Sequence, residues 1–334
     1  MAEQDDRLAP EEVALLAGQM FGAEVDKVTA PGGRSRESLR VHFPKRTMVA
    51  TQRSYPGRMR MEVEVLRRLS GRGAPVPRFL GGTEKVFFQA DVGSRRLSGE
   101  MAAGKADRQA KVARRAVESL LEIHQAGRDA GLAEIVPGLG EREDWVKGFV
   151  GTAITSSEKF GIDVPDLDHA ALVARLHVPA KVFIKWDARP GNAAVGKNGR
   201  VFWFDWEHCG KRQGMEDFAW MAGDEFWPLG AEAVLAPLAE SLPEAGRDDN
   251  LDYLIHFTTF HIVQRLTIIH RRHRKYGWVN ADKAMRYDKI GTDPDLAIRL
   301  CDHGADWAAR AALTRPMVAW FNACGAAIAA MPRE

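Results

Sequence analysis

Cysteine is rare in this chain: Cys209, Cys301 and Cys324 are the only three among 334 residues, and they lie far apart. None of them has the CxxC spacing that is typical of zinc sites and redox motifs. Structural disulfides belong mainly to proteins of oxidising compartments, which use cysteine more densely than this. The scarcity argues against disulfide-stabilised and zinc-binding classes and favours a reducing, cytoplasmic setting.

An excess of charge and long apolar runs are also missing. Lys and Arg number 47 against 45 Asp and Glu, a net charge of +2, so no strong field attracts nucleic acid or a membrane surface. No apolar run approaches the roughly 20 residues that cross a bilayer, and the polar, acidic start of the chain is unlike a signal peptide. We expect a soluble, cytoplasmic monomer or homodimer that binds neither nucleic acid nor membrane.

The first 90 residues alternate short strands with helices. Residues 10–22 have helical periodicity behind a Pro-Glu-Glu start. Strands are predicted at 38–43 and 47–53, after a glycine-rich bend. A charged amphipathic helix is predicted at 58–70, followed by two more short strands. This pattern indicates one small α+β unit.

From residue 107 onward the pattern is mainly helical. Residues 107–126 repeat apolar side chains at helical spacing. Short β-like runs follow around the turn Lys197-Asn198-Gly199, which is typical of a hairpin, and everything beyond residue 215 is predicted as helix. The predicted organisation is an α+β chain with one lobe at residues 1–92 and a larger, mainly helical lobe at residues 93–334.

Residues 183–207, FIKWDARPGNAAVGKNGRVFWFDWE, carry the residue types that phosphoryl transfer needs. Asp187 and Asn192 share one loop rich in Pro and Gly, and Asp205 follows the next hairpin. Transfer requires a carboxylate that orients the attacking hydroxyl and accepts its proton, and oxygen ligands that hold Mg²⁺ against a triphosphate. The simpler alternative for Asp187 is a turn-capping role before Pro-Gly.

The Asp-x-x-x-x-Asn spacing, followed thirteen residues later by Asp, resembles the catalytic and metal loops of the protein-kinase-like superfamily. The ArgProGlyAsn and PheAspTrpGlu forms are closest to its aminoglycoside phosphotransferase and choline kinase branch. The resemblance implies a two-lobed fold with a small antiparallel sheet plus helix, and ATP and Mg²⁺ as cofactors. It also implies that Asp187 is the catalytic base, that Asn192 and Asp205 hold the metal, and that Asp217 braces the catalytic loop.

The resemblance extends to the first lobe and covers roughly residues 28–225. Gly32, Gly33 and Ser35 match the glycine-rich turn over the nucleotide phosphates. Glu62 matches the helix acid that pairs with a strand lysine. These matches imply nucleotide-binding roles for all four residues, although a glycine turn alone is more often a plain turn.

The chain departs from the family pattern at three places. Alignment along the strand puts the uncharged Gln52 at the position of the nucleotide-binding lysine, with Arg53 pointing to the opposite face. Lys185 and Trp186 replace the His-Gly pair before the catalytic Asp. Arg189 stands where protein kinases have a lysine that reaches the γ-phosphate, so we expect it to supply the catalytic charge that Gln52 lacks.

Two functions are compatible with the sequence. The first is an ATP- and Mg²⁺-dependent phosphotransferase that acts on a hydroxyl of a small molecule resembling an aminoglycoside, choline or a sugar. The second is a pseudokinase that binds nucleotide or a partner without efficient catalysis, which loss of the strand lysine favours. The acceptor stays open, because Asp224 and Glu225 form only a small acidic cluster. The basic run at 270–276 fits a solvated helix end better than a nucleic-acid contact.

Overall fold

An antiparallel sheet of five strands forms the first part of the structure, a computed structural model that describes residues 7–31, 37–286, 288 and 293–333. Its strands are β1 (Lys27–Thr29), β2 (Ser38–Phe43), β3 (Arg46–Thr51), β4 (Phe79–Gly82) and β5 (Phe87–Ala90). The spatial order is β1-β2-β3-β5-β4, and every neighbouring pair is antiparallel. The β3 strand ends two residues earlier than the sequence predicts.

Helix α1 (Pro10–Phe21) packs on this sheet. It begins with a proline, whose fixed φ suits a first helical turn, and the Glu12 carboxylate accepts a hydrogen bond from the Ala9 amide at 2.7 Å. Val13 and Ala17 are fully buried in a cluster with apolar side chains of β2, β3 and β5. Burial of this apolar surface holds α1 against the sheet.

Helix α2 (Pro56–Gly71) connects the sheet to the rest of the molecule. Val65, Leu66 and Leu69 are fully buried in the main hydrophobic core, which the helical part of the chain also builds. Glu62 is also turned inward and is 1% exposed. A carboxylate at that depth needs charged or hydrogen-bonding partners.

The chain passes from the sheet to the helical part through residues 91–96. Asp91 fixes this segment, because its carboxylate accepts hydrogen bonds from the Thr47 hydroxyl at 2.7 Å and the Gly93 amide at 2.9 Å. Gly93 has φ 100°, a conformation that glycine adopts without a steric penalty. The lobe boundary at residues 92–93 stays a prediction.

Helices dominate the second part of the structure. They are α3 (Leu97–Ala103), α4 (Ala106–Asp129), α5 (Leu132–Ile135), α6 (Glu143–Phe160), α7 (His169–Leu176), α8 (Glu216–Ala222), α9 (Glu232–Ser241), α10 (Arg247–Tyr276), α11 (Ala281–Arg286), α12 (Pro294–Ala308) and α13 (Met317–Ala329). None of the helices in the described part of the chain is long and apolar enough to cross a membrane. The predicted α+β class, with its antiparallel sheet and mainly helical remainder, is confirmed.

Four short strands interrupt these helices between α7 and α8. They are β6 (Val182–Ile184), β7 (Ala193–Val195), β8 (Val201–Trp203) and β9 (Gly210–Arg212). The β7 and β8 strands form the predicted hairpin, and β6 pairs with β9. The two strand pairs therefore bring the loop before β7 and the loop after β8 close together.

Candidate active site

Asp187 and Asn192 lie together in the loop between β6 and β7. The Asn192 Nδ2 group donates hydrogen bonds to Asp187 Oδ2 at 2.7 Å and to the Asp187 carbonyl oxygen at 3.1 Å. Pro190–Asn192 form a single 3-10 turn that folds the loop back on itself. The structure thus brings together the two residues that the sequence pairs, while their catalytic and metal-binding roles stay predictions.

Asp217 holds the start of this loop from α8. It is fully buried, and its carboxylate accepts hydrogen bonds from the backbone amides of Lys185 at 2.8 Å and Trp186 at 2.7 Å. His124 Nε2 lies 2.8 Å from the same carboxylate. The expected bracing role of Asp217 is confirmed by these contacts.

Lys185 ties the catalytic loop to the loop of Asp205. Its buried ammonium donates hydrogen bonds to the carbonyl oxygens of Asp187 at 3.0 Å and Asp205 at 2.6 Å. It also lies 5.4 Å from the ring centroid of Trp206. Lys185 therefore braces the catalytic loop through hydrogen bonds to backbone carbonyl oxygens, which do not use the carboxylates of Asp187 and Asp205.

Trp186 has φ 70°, in the left-handed region. A residue with a Cβ pays roughly 1–2 kcal/mol there, which explains why the related pattern has glycine at this place. The indole ring packs against Trp145, Trp220 and Phe257, at centroid distances of 6.1, 5.6 and 6.3 Å. Aromatic packing and the two fixed amides of the loop offset the strained backbone.

Asp205 follows β8 and also has a left-handed backbone, with φ 66°. Its side chain is 33% exposed, and Oδ1 accepts a hydrogen bond from Arg53 at 2.7 Å. Burial alone would raise the pKa of Asp205, but the charges of Arg53 and Lys185 outweigh it and hold the pKa below its ordinary value. Asp205 is therefore an ionised carboxylate at neutral pH, as a metal ligand must be.

Arg53 is the cation that pairs with Glu62. Its Nε lies 2.6 Å from Glu62 Oε2 and its NH2 group 2.9 Å from Glu62 Oε1, a two-point contact. The same guanidinium reaches Asp205 and, at 3.2 Å, Glu37. Arg53 thus joins a helix acid to the loop of the predicted metal ligand, and sequence reasoning placed it on the wrong face.

The physical reason is the early end of β3. Side chains alternate between faces only while the backbone stays a strand, and β3 ends at Thr51. Gln52 turns away from Glu62: its Oε1 accepts from the Leu8 amide at 2.7 Å and its Nε2 donates to the Leu8 carbonyl at 3.2 Å. The place expected for Gln52 beside Glu62 is occupied by Arg53. The arginine that directly follows position 52 in the sequence was the signal that could have identified the cation beside Glu62.

Gly32, Gly33 and Ser35 lie outside the described residues. The strands that flank them, β1 and β2, are antiparallel neighbours. Their role over the nucleotide phosphates stays a prediction.

Arg189 lies in a buried ion-pair network. Its Nε donates to Asp224 at 2.6 Å and its NH2 group to Asp288 at 3.3 Å. Arg265 contacts the same region, with Glu225 at 2.6 Å and Asp224 at 3.4 Å. Burial raises the pKa of Asp224 to about 6, against the opposing charge of Arg189. The contacts of Arg189 are those of a structural ion pair, and its catalytic role stays a prediction.

A cavity of about 1000 Å³ opens between the sheet and the helical part. Asn192, Arg53 and Asp205 line one side of it, and residues 89–96 line another. Its walls thus combine the charged groups described above with the backbone of the connecting segment. The cavity therefore presents charged groups of both signs to a ligand.

Within the described ranges, no group of three or more His, Cys, Asp or Glu residues is close enough to hold a metal ion. Asn192 and Asp205 nevertheless offer hard oxygen atoms on the cavity wall, and Asp205 is ionised. Mg²⁺ typically takes one or two protein ligands and completes its shell with phosphate and water. The two side chains fit that coordination.

Known proteins share this fold at low sequence identity. A GDP complex of a variant of aminoglycoside 2′-phosphotransferase IIIa is 14% identical over 84% of this chain and 97% of its own, with a TM-score of 0.56. The AMP complex of a spectinomycin phosphotransferase is 11% identical over 88% and 98%, with a TM-score of 0.53. A protein of Ralstonia eutropha JMP134, provisionally described as an aminoglycoside phosphotransferase, is 15% identical over 89% and 98%, with a TM-score of 0.53.

The sequence itself gives the family. No curated protein matches it, but residues 28–248, well over half of the chain, match the family model described as the phosphotransferase enzyme family. The matched segment contains Arg53, Glu62, Asp187, Asn192, Asp205 and Asp217. The chain therefore belongs to the phosphotransferase enzyme family and has its two-lobed, protein-kinase-like fold.

Proposed function

We propose that this protein transfers the γ-phosphate of ATP to a hydroxyl of a small molecule, with Mg²⁺ bound to the triphosphate. The observation that carries the proposal is the Glu62–Arg53–Asp205 chain of ion pairs, of which Arg53 and Asp205 line the cavity together with Asn192, the hydrogen-bond partner of Asp187. Phosphoryl transfer requires a cation, a metal-competent carboxylate and a base. Arg53 and Asp205 supply the first two on the cavity wall, and the candidate base is hydrogen-bonded to Asn192 of the same wall.

Arg53 is proposed to bind the α- and β-phosphates. Glu62 fixes the guanidinium by a two-point contact, so little side-chain entropy is lost when phosphate binds. The planar fork of arginine offers parallel donors to phosphate oxygens. Arg53 thereby takes the part that a strand lysine plays in the related pattern.

Asp187 is proposed to orient the acceptor hydroxyl and to accept its proton. Asn192 Nδ2 donates to Asp187 Oδ2, which fixes the carboxylate and leaves Oδ1 of each side chain for other partners. Asn192 and Asp205 would hold Mg²⁺, whose charge neutralises the phosphate oxygens during transfer. Lys185 and Asp217 keep the two loops at a fixed separation.

The pseudokinase alternative rested on the uncharged Gln52. Because Arg53 supplies a positive charge at Glu62, that objection loses its basis. An intact base, two metal-competent side chains and a phosphate-binding cation favour a working enzyme.

The acceptor is proposed to be a small molecule that bears a hydroxyl. The acidic pair Asp224 and Glu225 gives no support to a polycationic amino sugar, because both carboxylates are at most 1% exposed. Arg189 and Arg265 already neutralise them. A bound ammonium group would have to displace a buried arginine, at a cost of several kcal/mol.

Calorimetric titration with ATP, with and without Mg²⁺, tests the proposal on wild type and Asp205→Asn. An amide cannot balance the metal charge as a carboxylate does, so we expect Asp205→Asn to lose most of the Mg²⁺-dependent gain in affinity. Affinity without Mg²⁺ should change little. Equal gains in the two proteins would rule out Asp205 as the principal metal ligand.

A further inference from the structure

A second, smaller pocket of about 360 Å³ lies between α3, the first half of α4 and the turn of the β7–β8 hairpin. Among the described residues that line it, Glu100 is the one carboxylate, against five cationic side chains: Arg95, Arg108, Lys111, Arg115 and Lys197. The whole chain has a net charge of only +2, so the positive charge is concentrated here. A concave site lined by one sign of charge focuses the electric field and attracts counter-ions. We call this site the basic pocket.

Three of the five cations share one face of α4. Arg108, Lys111 and Arg115 follow one another at intervals of three and four residues, which makes them neighbours on the helix surface. Like charges at this spacing destabilise a helix. A bound anion would remove that repulsion.

Two of the arginines are held by uncharged partners on the hairpin. Arg115 donates a hydrogen bond to the Asn198 carbonyl oxygen at 3.0 Å. Arg95 donates to the carbonyl oxygens of Val195 at 3.2 Å and Gly196 at 3.1 Å. Carbonyl oxygens orient a guanidinium group without cancelling its charge, so less side-chain entropy is lost when an anion binds.

The remaining contacts bring the guanidinium groups close together. Gly199 has φ 79°, and a Cβ there would lie 1.6 Å from a terminal nitrogen of Arg115, so the turn admits the guanidinium because it has a glycine. On the other side, the two oxygens of Glu100 contact Arg95, at 3.5 Å, and Arg108. Three guanidinium groups are thus linked through one hairpin turn and one carboxylate, which can neutralise only one of them.

We propose that the basic pocket binds a small polyanion, a molecule that carries two neighbouring phosphate groups. Each planar arginine fork can bind two phosphate oxygens, and three forks with two lysines offer more donors than a single phosphate can accept. Small-molecule sites typically measure about 300–1,000 Å³, and a pocket at the lower end of that range favours a compact ligand over nucleic acid or an acidic protein segment. The inference does not rest on the proposed function, because Arg53, Asn192 and Asp205 line the other cavity.

Calorimetric titration with inorganic pyrophosphate, without Mg²⁺, tests this on wild type, Arg115→Gln and Lys111→Gln. Both side chains are exposed, so the variants should fold. We expect Arg115→Gln to weaken pyrophosphate binding by about tenfold, the scale of one charge-assisted hydrogen bond. Lys111→Gln should weaken it by a smaller factor, because an ammonium group is a point charge without the arginine fork. Inorganic phosphate should bind wild type more weakly than pyrophosphate does.

Two control variants separate the basic pocket from other sites. Arg114→Gln removes the same charge from the neighbouring position of α4, where the arginine pairs with Glu240 at the exposed surface, and it should bind pyrophosphate as wild type does. Arg53→Gln changes the other cavity and should keep the binding that Arg115→Gln weakens.

Four results would overturn the inference. They are no pyrophosphate binding by wild type, equal losses in Arg114→Gln and Arg115→Gln, loss in Arg53→Gln with wild-type affinity in Arg115→Gln, and binding of duplex DNA or an acidic peptide in place of pyrophosphate. The second would show a general effect of charge, and the third would place pyrophosphate in the other cavity. Each of the four leaves the proposed function standing, since that function is tested by ATP and Mg²⁺ at Asp205.

Discussion

Two arginine–carboxylate clusters lie near the catalytic loop, and their carboxylates differ in exposure. In the first, Arg53 reaches Asp205, whose side chain is 33% exposed. In the second, Arg189 pairs with Asp224, which is 0% exposed. We expect the first cluster to exchange a protein partner for a ligand, and the buried Arg189–Asp224 pair to stabilise the fold. An arginine–carboxylate pair can thus serve ligand binding or stability of the fold, and we expect the depth of burial to determine which of the two it serves.

The largest effect on turnover is expected at Asp187, the proposed catalytic base. Asp187→Ala should reduce turnover by about a thousandfold, the usual scale for loss of a positioned general base. ATP affinity and the melting temperature should stay close to wild type, because the side chain is only half-buried. Steady-state kinetics with any phosphorylated acceptor provides the measurement. Wild-type turnover would remove Asp187 from the mechanism.

Removal of Arg189 should lower stability. Arg189→Ala leaves Asp224 buried without its closest cation, and breaking such a pair costs about 3 kcal/mol. Urea unfolding measures this, with Arg114→Ala as the control, since Arg114 pairs with Glu240 at the exposed surface. A variant that keeps wild-type stability but loses turnover would contradict the comparison and support the γ-phosphate role predicted from the sequence.

The smallest effect concerns pH. Burial raises the pKa of Asp224 to about 6, above the value of about 4 of an unfolded aspartate. Between these pH values the folded chain binds a proton that the unfolded chain does not, so this residue's contribution to stability falls as pH rises. Asp224→Asn should remove that slope, which is at most about 1.4 kcal/mol per pH unit. Parallel slopes for the two proteins in urea unfolding at pH 4–7 would contradict the assignment.

Sequence reasoning succeeded where function depends on short spacing. Asp187 and Asn192 are five residues apart in one loop, and Asp217 follows at a family-typical interval, so their mutual contacts could be predicted. Residue types and their spacing along the chain were enough to predict these contacts of the catalytic loop.

The remaining errors come from information that the local sequence does not hold. The faces of Gln52 and Arg53 depend on where β3 stops, and Leu8, which captures Gln52, is 44 residues away. The partners of Arg189 are 35 and 99 residues distant. The alternation of side chains along a strand does not fix the residue at which the strand ends to within two positions. Whether an arginine is buried depends on tertiary contacts, which the local sequence does not contain.

The most direct test of this account is the ATP affinity of Arg53→Gln and Gln52→Lys, measured by calorimetry beside wild type. If Arg53 binds the phosphates, Arg53→Gln should weaken ATP binding by about a hundredfold, the scale of two charge-assisted hydrogen bonds. Gln52→Lys should not tighten binding, because position 52 faces Leu8. Tighter binding by Gln52→Lys, together with wild-type affinity in Arg53→Gln, would contradict the account and restore position 52 as the phosphate-binding site.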